Sequence, residues 1–143
     1  MNTVELTHDL DVSAIDAWAV LADFPGFLKW AGGGQGTIEI EGTGVGMVRH
    51  LNMPGTGKMA ERLDRLDDDT TTIGYSLMYG NPVGMAEYRA VVRLEATEKN
   101  ACRIHWHGEF TPAEDQQADV VRGNLEAAYQ GMAAALAAYV KAS

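Results

Sequence analysis

Cysteine is almost absent from this chain, and positive charge is scarce. The single cysteine, Cys102, cannot form a disulfide within the chain, so we expect a protein of the reducing cytoplasm. Lysine and arginine total 11 against 20 aspartate and glutamate residues, which gives a formal net charge of −9. Nucleic acids and anionic membranes attract basic surfaces, so we expect neither of them as a partner.

Long apolar runs are also missing. No stretch approaches the ~20 apolar residues of a membrane-spanning helix, and the first residues lack the basic and then apolar pattern of a secretory leader. Apolar residues make up 46% and charged residues 22% of the 143 residues, which is typical of a globular protein. This length predicts one domain, residues 1–143, whose core needs neither disulfides nor a structural metal.

Alternation of apolar and polar residues predicts strands over much of the chain. The inward set of the first strand is Val4, Leu6, His8, Leu10 and Val12. Ser13 then predicts the start of a helix that Pro25 interrupts, and a short helical turn is expected at 27–30. Six further strands follow on short connections, which favour antiparallel pairing and therefore an α+β fold.

The last segment, 112–141, predicts a long helix with one apolar stripe. The stripe consists of Val121, Leu125, Ala128, Met132, Ala135, Leu136 and Tyr139. Alanines, Gly131 and Met132 occupy much of what should be a filled contact surface. A helix with such small side chains fills the space beneath it poorly when it lies across a curved sheet, so we expect a cavity there.

An ordered set of aromatic, charged and glycine residues runs along nearly the whole chain: Trp18, Asp23-Phe24, Trp30, Gly46-x-x-Arg49, Glu61-Arg62-Leu63, Asp67, Tyr75, Pro82, Tyr88 and Trp106. This set resembles the START-like (SRPBCC) superfamily, and within it the polyketide cyclase/dehydrase branch. Birch-pollen-allergen proteins and plant abscisic-acid receptors are related to this branch in fold.

The resemblance implies a helix-grip fold, in which a seven-stranded antiparallel sheet wraps around the C-terminal helix and two short helices follow the first strand. It also implies a hydrophobic tunnel for a small apolar or aromatic ligand. Some members catalyse lyase, cyclase or isomerase reactions, usually without a metal or an organic cofactor, so we expect neither here.

Two charged residues fall on the inward side of adjacent predicted strands. Arg49 shares a face with Met47 and Leu51, and Glu61 shares a face with Met59 and Leu63. A charge in an apolar cavity needs a partner, so we expect Arg49 and Glu61 to face each other and to anchor the polar end of a ligand. Glu61 would then act as a general base and Arg49 would stabilise the enolate or alkoxide formed.

A structural ion pair that closes one end of the barrel is an equally weighted interpretation. The same alternation also places Arg65 inward, unless a bulge in that strand reverses the assignment.

Further polar groups are candidates for the site. His8 falls on the inward side of the first strand and would shuttle protons, although a hydrogen-bonded core histidine is the more common case. Tyrosine hydroxyls can orient a carbonyl, or they can sit at a rim while the ring packs. The expected ligand-binding set is Trp30, Met47, Leu51, Met59, Tyr75, Leu77, Tyr79, Pro82, Tyr88, Trp106, Asn124, Leu125, Ala128 and Met132.

A metal site is not expected. His105, His107 and Glu109 share one strand face, but they alternate with Trp106 and should therefore point to solvent. Three loops rich in glycine or proline, 32–36, 54–57 and 80–84, are either gates to the cavity or ordinary turns.

The sequence leaves three classes of function open. We favour an enzyme that acts on a small aromatic or polyketide-like molecule by proton transfer, because inward polar groups accompany the expected cavity. A carrier or sensor of a hydrophobic small molecule shares the same cavity physics, and an interaction module is a third class. A monomer and a homodimer are both open.

Overall fold

The computed structural model describes all 143 residues as seven strands, three α-helices and three 3₁₀ turns. The strands are β1 (Asn2–Leu10), β2 (Thr37–Glu41), β3 (Val48–Met53), β4 (Gly57–Asp67), β5 (Thr72–Tyr79), β6 (Met85–Glu98) and β7 (Ala101–Pro112). The helices are α1 (Ala14–Leu21), α2 (Phe27–Trp30) and α3 (Ala118–Ala142), and the 3₁₀ turns are Phe24–Gly26, Gly32–Gly34 and Pro82–Gly84.

All seven strands form one antiparallel sheet in the order β1-β7-β6-β5-β4-β3-β2, with β1 and β2 at its edges. Helix α3 packs against β1, β7 and the two shorter helices, so the sheet curves around it. This is the helix-grip fold that the resemblance implies, and that prediction is confirmed. No helix combines the length and the hydropathy that crossing a membrane would require.

Local signals explain the start of α1 and the start of α3. Ser13 caps α1 by accepting a hydrogen bond from the Asp16 backbone N–H at 3.1 Å. Helix α3 begins at Ala118 rather than at 112, because Pro112 is still paired with Met85 in the sheet. The backbone N–H of Ala113 also donates to the Gly84 carbonyl at 2.8 Å, so this stretch is held by sheet and turn bonds.

Two irregularities in the pairing of β4 with β5 change which residues face inward. Leu63 pairs with Tyr75 and Arg65 with Gly74, so β4 has one extra residue there. The prediction that Arg65 points inward is therefore wrong, and its side chain is exposed. The second irregularity adds one residue to β5 between the partners of Ala60 and Glu61.

The core lies between the concave face of the sheet and the buried side of α3. Strand β7 supplies alternating buried residues from Cys102 to Phe110. The buried residues of α3 are Val121, Leu125, Tyr129, Ala133, Leu136 and Ala137. Trp106 and Tyr129 stack at the centre of this core, with ring centroids 4.7 Å apart.

Candidate functional site

A cavity of about 170 Å³ lies under α3, between the helix and strands β3 to β6. Its walls are mostly apolar, and they also include one carboxylate, one guanidinium and three tyrosines. The lining consists of Phe27, Arg49, Leu51, Met53, Thr56, Met59, Glu61, Tyr75, Pro82, Val83, Met85, Tyr88, Leu125, Ala128, Tyr129 and Met132. We call this space the inner cavity.

An ion pair forms one end of the inner cavity. Arg49 on β3 and Glu61 on β4 are direct cross-strand partners, so their side chains leave the same face of the sheet. Arg49 Nε donates to Glu61 Oε1 at 2.9 Å, and Arg49 Nη2 lies 2.7 Å from the same oxygen. Both side chains are 7% exposed, so the pair is effectively removed from bulk water.

Aromatic rings and a backbone carbonyl complete the surroundings of Arg49. Its guanidinium carbon lies 3.9 Å from the centre of the Phe24 ring and 4.3 Å from that of Phe27. Arg49 Nη1 also donates to the Phe24 carbonyl at 3.3 Å. These contacts hold the guanidinium in one orientation and compensate part of the cost of burying it.

The carboxylate of Glu61 is bound on one oxygen only. Both contacts with Arg49 involve Oε1, and Oε2 has no hydrogen-bond partner within the protein. Because Glu61 lines the inner cavity, Oε2 is a charged hydrogen-bond acceptor available to a molecule bound there. A carboxylate in this position can accept a proton from a bound molecule.

Three tyrosine hydroxyls form a second polar group in the site. The hydroxyls of Tyr88 and Tyr129 are hydrogen-bonded to each other, and the rings of Tyr75 and Tyr88 meet edge to face at 6.1 Å. Burial raises the pKa of all three hydroxyls well above the ordinary value for tyrosine, and for Tyr75 the negative charge of Glu61 adds to this effect. The hydroxyls therefore stay protonated and can donate hydrogen bonds.

Gly108 on β7 makes room for this tyrosine group. A Cβ atom at this position would collide with the Tyr129 hydroxyl, and it would lie 2.9 Å from Val4 Cγ1 and 3.1 Å from Tyr88 Cε1. The glycine thus lets the Tyr129 side chain approach the sheet backbone closely.

A groove of about 450 Å³ adjoins the inner cavity beside α3, next to residues 31–35 and 53–56. We call it the mouth groove. The residues common to its walls and the cavity walls are Phe27, Met53, Thr56, Ala128 and Met132. The remaining walls are small or polar and come from the Gly32 loop, Pro54 and the exposed side of α3. The groove and the inner cavity are therefore neighbours that share one wall.

Ten residues of the expected catalytic and ligand-binding sets do line the inner cavity: Arg49, Leu51, Met59, Glu61, Tyr75, Pro82, Tyr88, Leu125, Ala128 and Met132. Most of them lie on strands or on the helix, where alternation or helical spacing defines the inward side.

His8 and Tyr79 must be corrected. His8 is opposite Ile104 in register, but it lies on the edge strand β1, where its side chain is exposed, and it does not reach the cavity. Tyr79 points outward because the extra residue in β5 reverses the alternation. Its hydroxyl instead lies 2.9 Å from His50 Nδ1.

Two tryptophans lie behind the cavity wall rather than in it. Trp30 packs edge to face on Phe27, with ring centroids 5.3 Å apart, so Phe27 occupies the wall. Trp106 stacks on Tyr129, which likewise stands between it and the cavity.

Three further expected residues are also outside the lining. Met47 lies just before β3 and packs against the main core, and Leu77 packs against the core while its cross-strand partner Glu61 takes the wall position. Asn124 is exposed, because the buried side of α3 passes through Leu125 and Tyr129.

Six lining residues were not expected from the sequence: Phe27, Met53, Thr56, Val83, Met85 and Tyr129. Tyr129 had a detectable signal, since it follows Leu125 by four residues and precedes Ala133 by four, which is helical spacing. The others belong to short helices, turns or strand ends, where no periodicity defines an inward side.

The outer face of the sheet carries a second, more polar depression of about 330 Å³, which includes Arg89, His107 and Glu109. Its charges are already paired, with Arg89 Nη2 2.6 Å from Glu109 Oε2 and His107 Nδ1 2.9 Å from Glu5 Oε1. His105 is similarly bound to Glu95 at 2.8 Å. This face therefore has the character of a solvated surface.

Comparisons with known proteins agree with this architecture. The family model described as polyketide cyclase / dehydrase and lipid transport matches residues 1–141. XoxI from Bacillus cereus superposes with a TM-score of 0.80 at 24% identity, covering 99% of this chain and 96% of that one. A protein from Nitrosospira multiformis gives a TM-score of 0.76 at 23% identity, over 96% and 94% of the two chains.

Norcoclaurine synthase from Thalictrum flavum, solved in complex with dopamine and hydroxybenzaldehyde, has the same fold. It gives a TM-score of 0.75 at 21% identity, covering 98% of this chain and 86% of that one. At these identities the solved structures show the fold alone. None of the functionally curated proteins compared with the chain matches it in sequence.

Proposed function

The chain belongs to the polyketide cyclase/dehydrase and lipid transport family, and we propose that it catalyses a cofactor-free proton transfer on a small aromatic or polyketide-like molecule. Cyclisation, dehydration and isomerisation are the reactions of this class. The observation that carries the proposal is the Glu61 carboxylate, which Arg49 holds on one oxygen while the other is unpaired in a mostly apolar cavity.

Cavity size supports a ligand whose buried part is about one ring. Apolar cavities of about 150 Å³ can hold a benzene molecule, and the inner cavity measures about 170 Å³. The mouth groove of about 450 Å³ provides space for a substituent that extends toward solvent. A fused multi-ring substrate would need the inner cavity to expand.

In the proposed reaction, each polar group of the site would have its own role. Glu61 Oε2 would take a proton from a carbon next to a carbonyl group, and the electron pair of that C–H bond would move onto the carbonyl oxygen. Arg49 would stabilise the resulting enolate. The protonated tyrosines of the site would orient the substrate by donating hydrogen bonds.

A carrier or sensor is the second candidate, because most of the lining is apolar and such a lining holds a ligand without reacting with it. The reducing cytoplasm remains our proposed location, in keeping with the single buried Cys102.

Binding can be tested with Ala128→Phe, which places a ring where the inner cavity meets the mouth groove. Ala127→Phe is the matched control, since Ala127 is exposed on the same helix. We expect phenol and 4-propylphenol to raise the melting temperature of the wild type and of Ala127→Phe, because binding to the folded state stabilises it. Equal shifts in Ala128→Phe would contradict binding in this cavity.

Catalysis can be tested without knowing the substrate, by following deuterium incorporation next to the carbonyl of phenylacetone in D₂O by NMR. The wild type and the outer-face control Glu109→Gln should accelerate exchange above buffer. Glu61→Gln should lose about 10²-fold or more of that rate while it retains probe binding. Unchanged exchange in Glu61→Gln would refute the role of base, and binding without any exchange in the wild type would favour a carrier.

A further inference from the structure

One buried polar atom has no acceptor within the protein. Trp106 is 3% exposed. Among the buried side-chain nitrogen and oxygen atoms, its indole Nε1 alone makes no hydrogen bond. Burying a hydrogen-bond donor without a partner is energetically unfavourable, so a partner for this atom is expected. By contrast, the Trp18 Nε1 atom donates to Asp68 Oδ1 at 2.9 Å.

Trp106 borders a small void that is distinct from the inner cavity. The void measures about 20 Å³ and lies behind Phe27, between the short helices and the sheet. Its walls are Leu21, Asp23, Phe24, Phe27, Trp30, Arg49, Ile73, Tyr75, Val92 and Trp106. A void needs roughly 10–15 Å³ on this measure to hold one water molecule, so this one accommodates a single water and no organic ligand.

The polar groups around the void are mainly donors. Arg49 has five N–H groups, and its contacts with Glu61 and the Phe24 carbonyl use at most three of them. Trp106 and Tyr75 both border the void, and the Trp106 N–H makes no hydrogen bond to the Tyr75 hydroxyl. Because Trp106, Arg49 and Tyr75 all line this small void, one oxygen atom inside it has all three side chains as neighbours.

We propose that this void is a binding site for one ordered water molecule, which accepts hydrogen bonds from Trp106 Nε1 and from a free N–H of Arg49. The water donates in turn to the Tyr75 hydroxyl oxygen, which gives it the three bonds typical of buried water. A small anion fits the charges less well, because Glu61 already neutralises Arg49 and Asp23 adds a second carboxylate to the wall.

The water makes Trp106 a positioning residue for the ion pair. Through it, the indole restrains the guanidinium, and the guanidinium in turn holds Glu61 Oε1 so that Oε2 points into the inner cavity. This inference concerns the protein without any ligand, so it does not depend on the proposed function.

The wild-type protein provides the first test. In NMR spectra we expect a cross-peak between water and the Trp106 indole proton, although this proton is buried. A high-resolution crystal structure should show one oxygen within hydrogen-bond distance of Trp106 Nε1 and Arg49. An empty void, or an anomalous peak there after a bromide soak, would overturn the proposal.

Trp106→Phe provides the second test, since phenylalanine keeps an aromatic ring near Tyr129 but removes the indole N–H together with part of the indole volume. We expect the water to be lost and the Arg49 Nε–H resonance to shift. Trp18→Phe, which removes a bond to Asp68 instead, should leave that resonance in place. An unchanged Arg49 resonance in Trp106→Phe would refute the positioning role.

Discussion

The sheet contains two cross-strand arginine–glutamate pairs that have nearly the same geometry and opposite surroundings. Arg49 and Glu61 meet at 2.7 Å on the concave face, where both side chains are 7% exposed. Arg89 and Glu109 meet at 2.6 Å on the outer face, where they are 63% and 29% exposed. Contact distance therefore does not distinguish the two pairs, but burial does.

Burial changes what each pair does for the protein. The outer pair is hydrated and screened, so its loss has little effect on stability. The inner pair is shielded from bulk water, and each charge depends mainly on its partner and on the surrounding aromatic rings and carbonyl. A ligand that enters the inner cavity meets charges that bulk water does not screen. The carboxylate and the guanidinium therefore interact with it more strongly than they would at the protein surface.

The largest expected effect comes from breaking the inner pair on one side. Arg49→Met leaves the Glu61 carboxylate buried without a counter-charge, so we expect the free energy of unfolding to fall by about 3–5 kcal/mol. Urea denaturation measures it. The double variant Arg49→Met with Glu61→Leu removes both charges and should recover most of the loss. A double variant as unstable as the single one would contradict this account of the pair.

A smaller effect is expected where the tyrosine group meets β7. Gly108→Ala introduces a methyl group against the Tyr129 hydroxyl, Val4 and Tyr88, and such overpacking costs about 1–3 kcal/mol. Tyr129→Phe in the same chain removes one of the colliding atoms, so part of the stability should return. Additive losses in the double variant would show that the hydroxyl is not the obstacle.

The hydrogen bond between Tyr88 and Tyr129 contributes less. Tyr129→Phe alone should lower the free energy of unfolding by about 1 kcal/mol, the usual net contribution of one such bond. Tyr139→Phe is the matched control on the same helix, since no bond of that hydroxyl is seen. Thermal or urea unfolding of both variants makes the comparison, and equal losses would exclude a specific contribution from the Tyr88 bond.

The smallest effect is expected for the outer pair. Arg89 lowers the pKa of Glu109, chiefly through their hydrogen bond, so the stabilisation is present above the ordinary glutamate pKa and is lost as pH falls through the lowered one. Arg89→Met should raise the Glu109 pKa, as measured by NMR titration. Near neutral pH it should barely move the urea midpoint. A loss comparable to that of Arg49→Met would remove the contrast between the two faces.

The sequence predicts the fold well because its signals are local and repeated. Alternation on β7 and spacing on α3 are strong patterns. Alternation on β3 and β4 likewise predicts that Arg49 and Glu61 face each other, as they do. The helix start at Ala118 differs from the expected one because pairing with β6 extends the last strand.

The remaining errors come from structural features that the alternation of apolar and polar residues does not reveal. One inserted residue reverses Tyr79 and another reverses Arg65, because each bulge shifts the alternation by one position. His8 follows the inward pattern, but it lies on an edge strand, where an inward position does not ensure that the side chain is buried. Tyr129 was missed because it fills the space that a helix of small residues was expected to leave empty.

A crystal structure of the protein soaked with phenol tests the central claim most directly. Our account predicts one phenol ring in the inner cavity beneath α3, with its hydroxyl donating to Glu61 Oε2 and with the Arg49 contact to Oε1 intact. Phenol bound only outside this cavity, or a Glu61 carboxylate whose two oxygens are both occupied by protein groups, would contradict it.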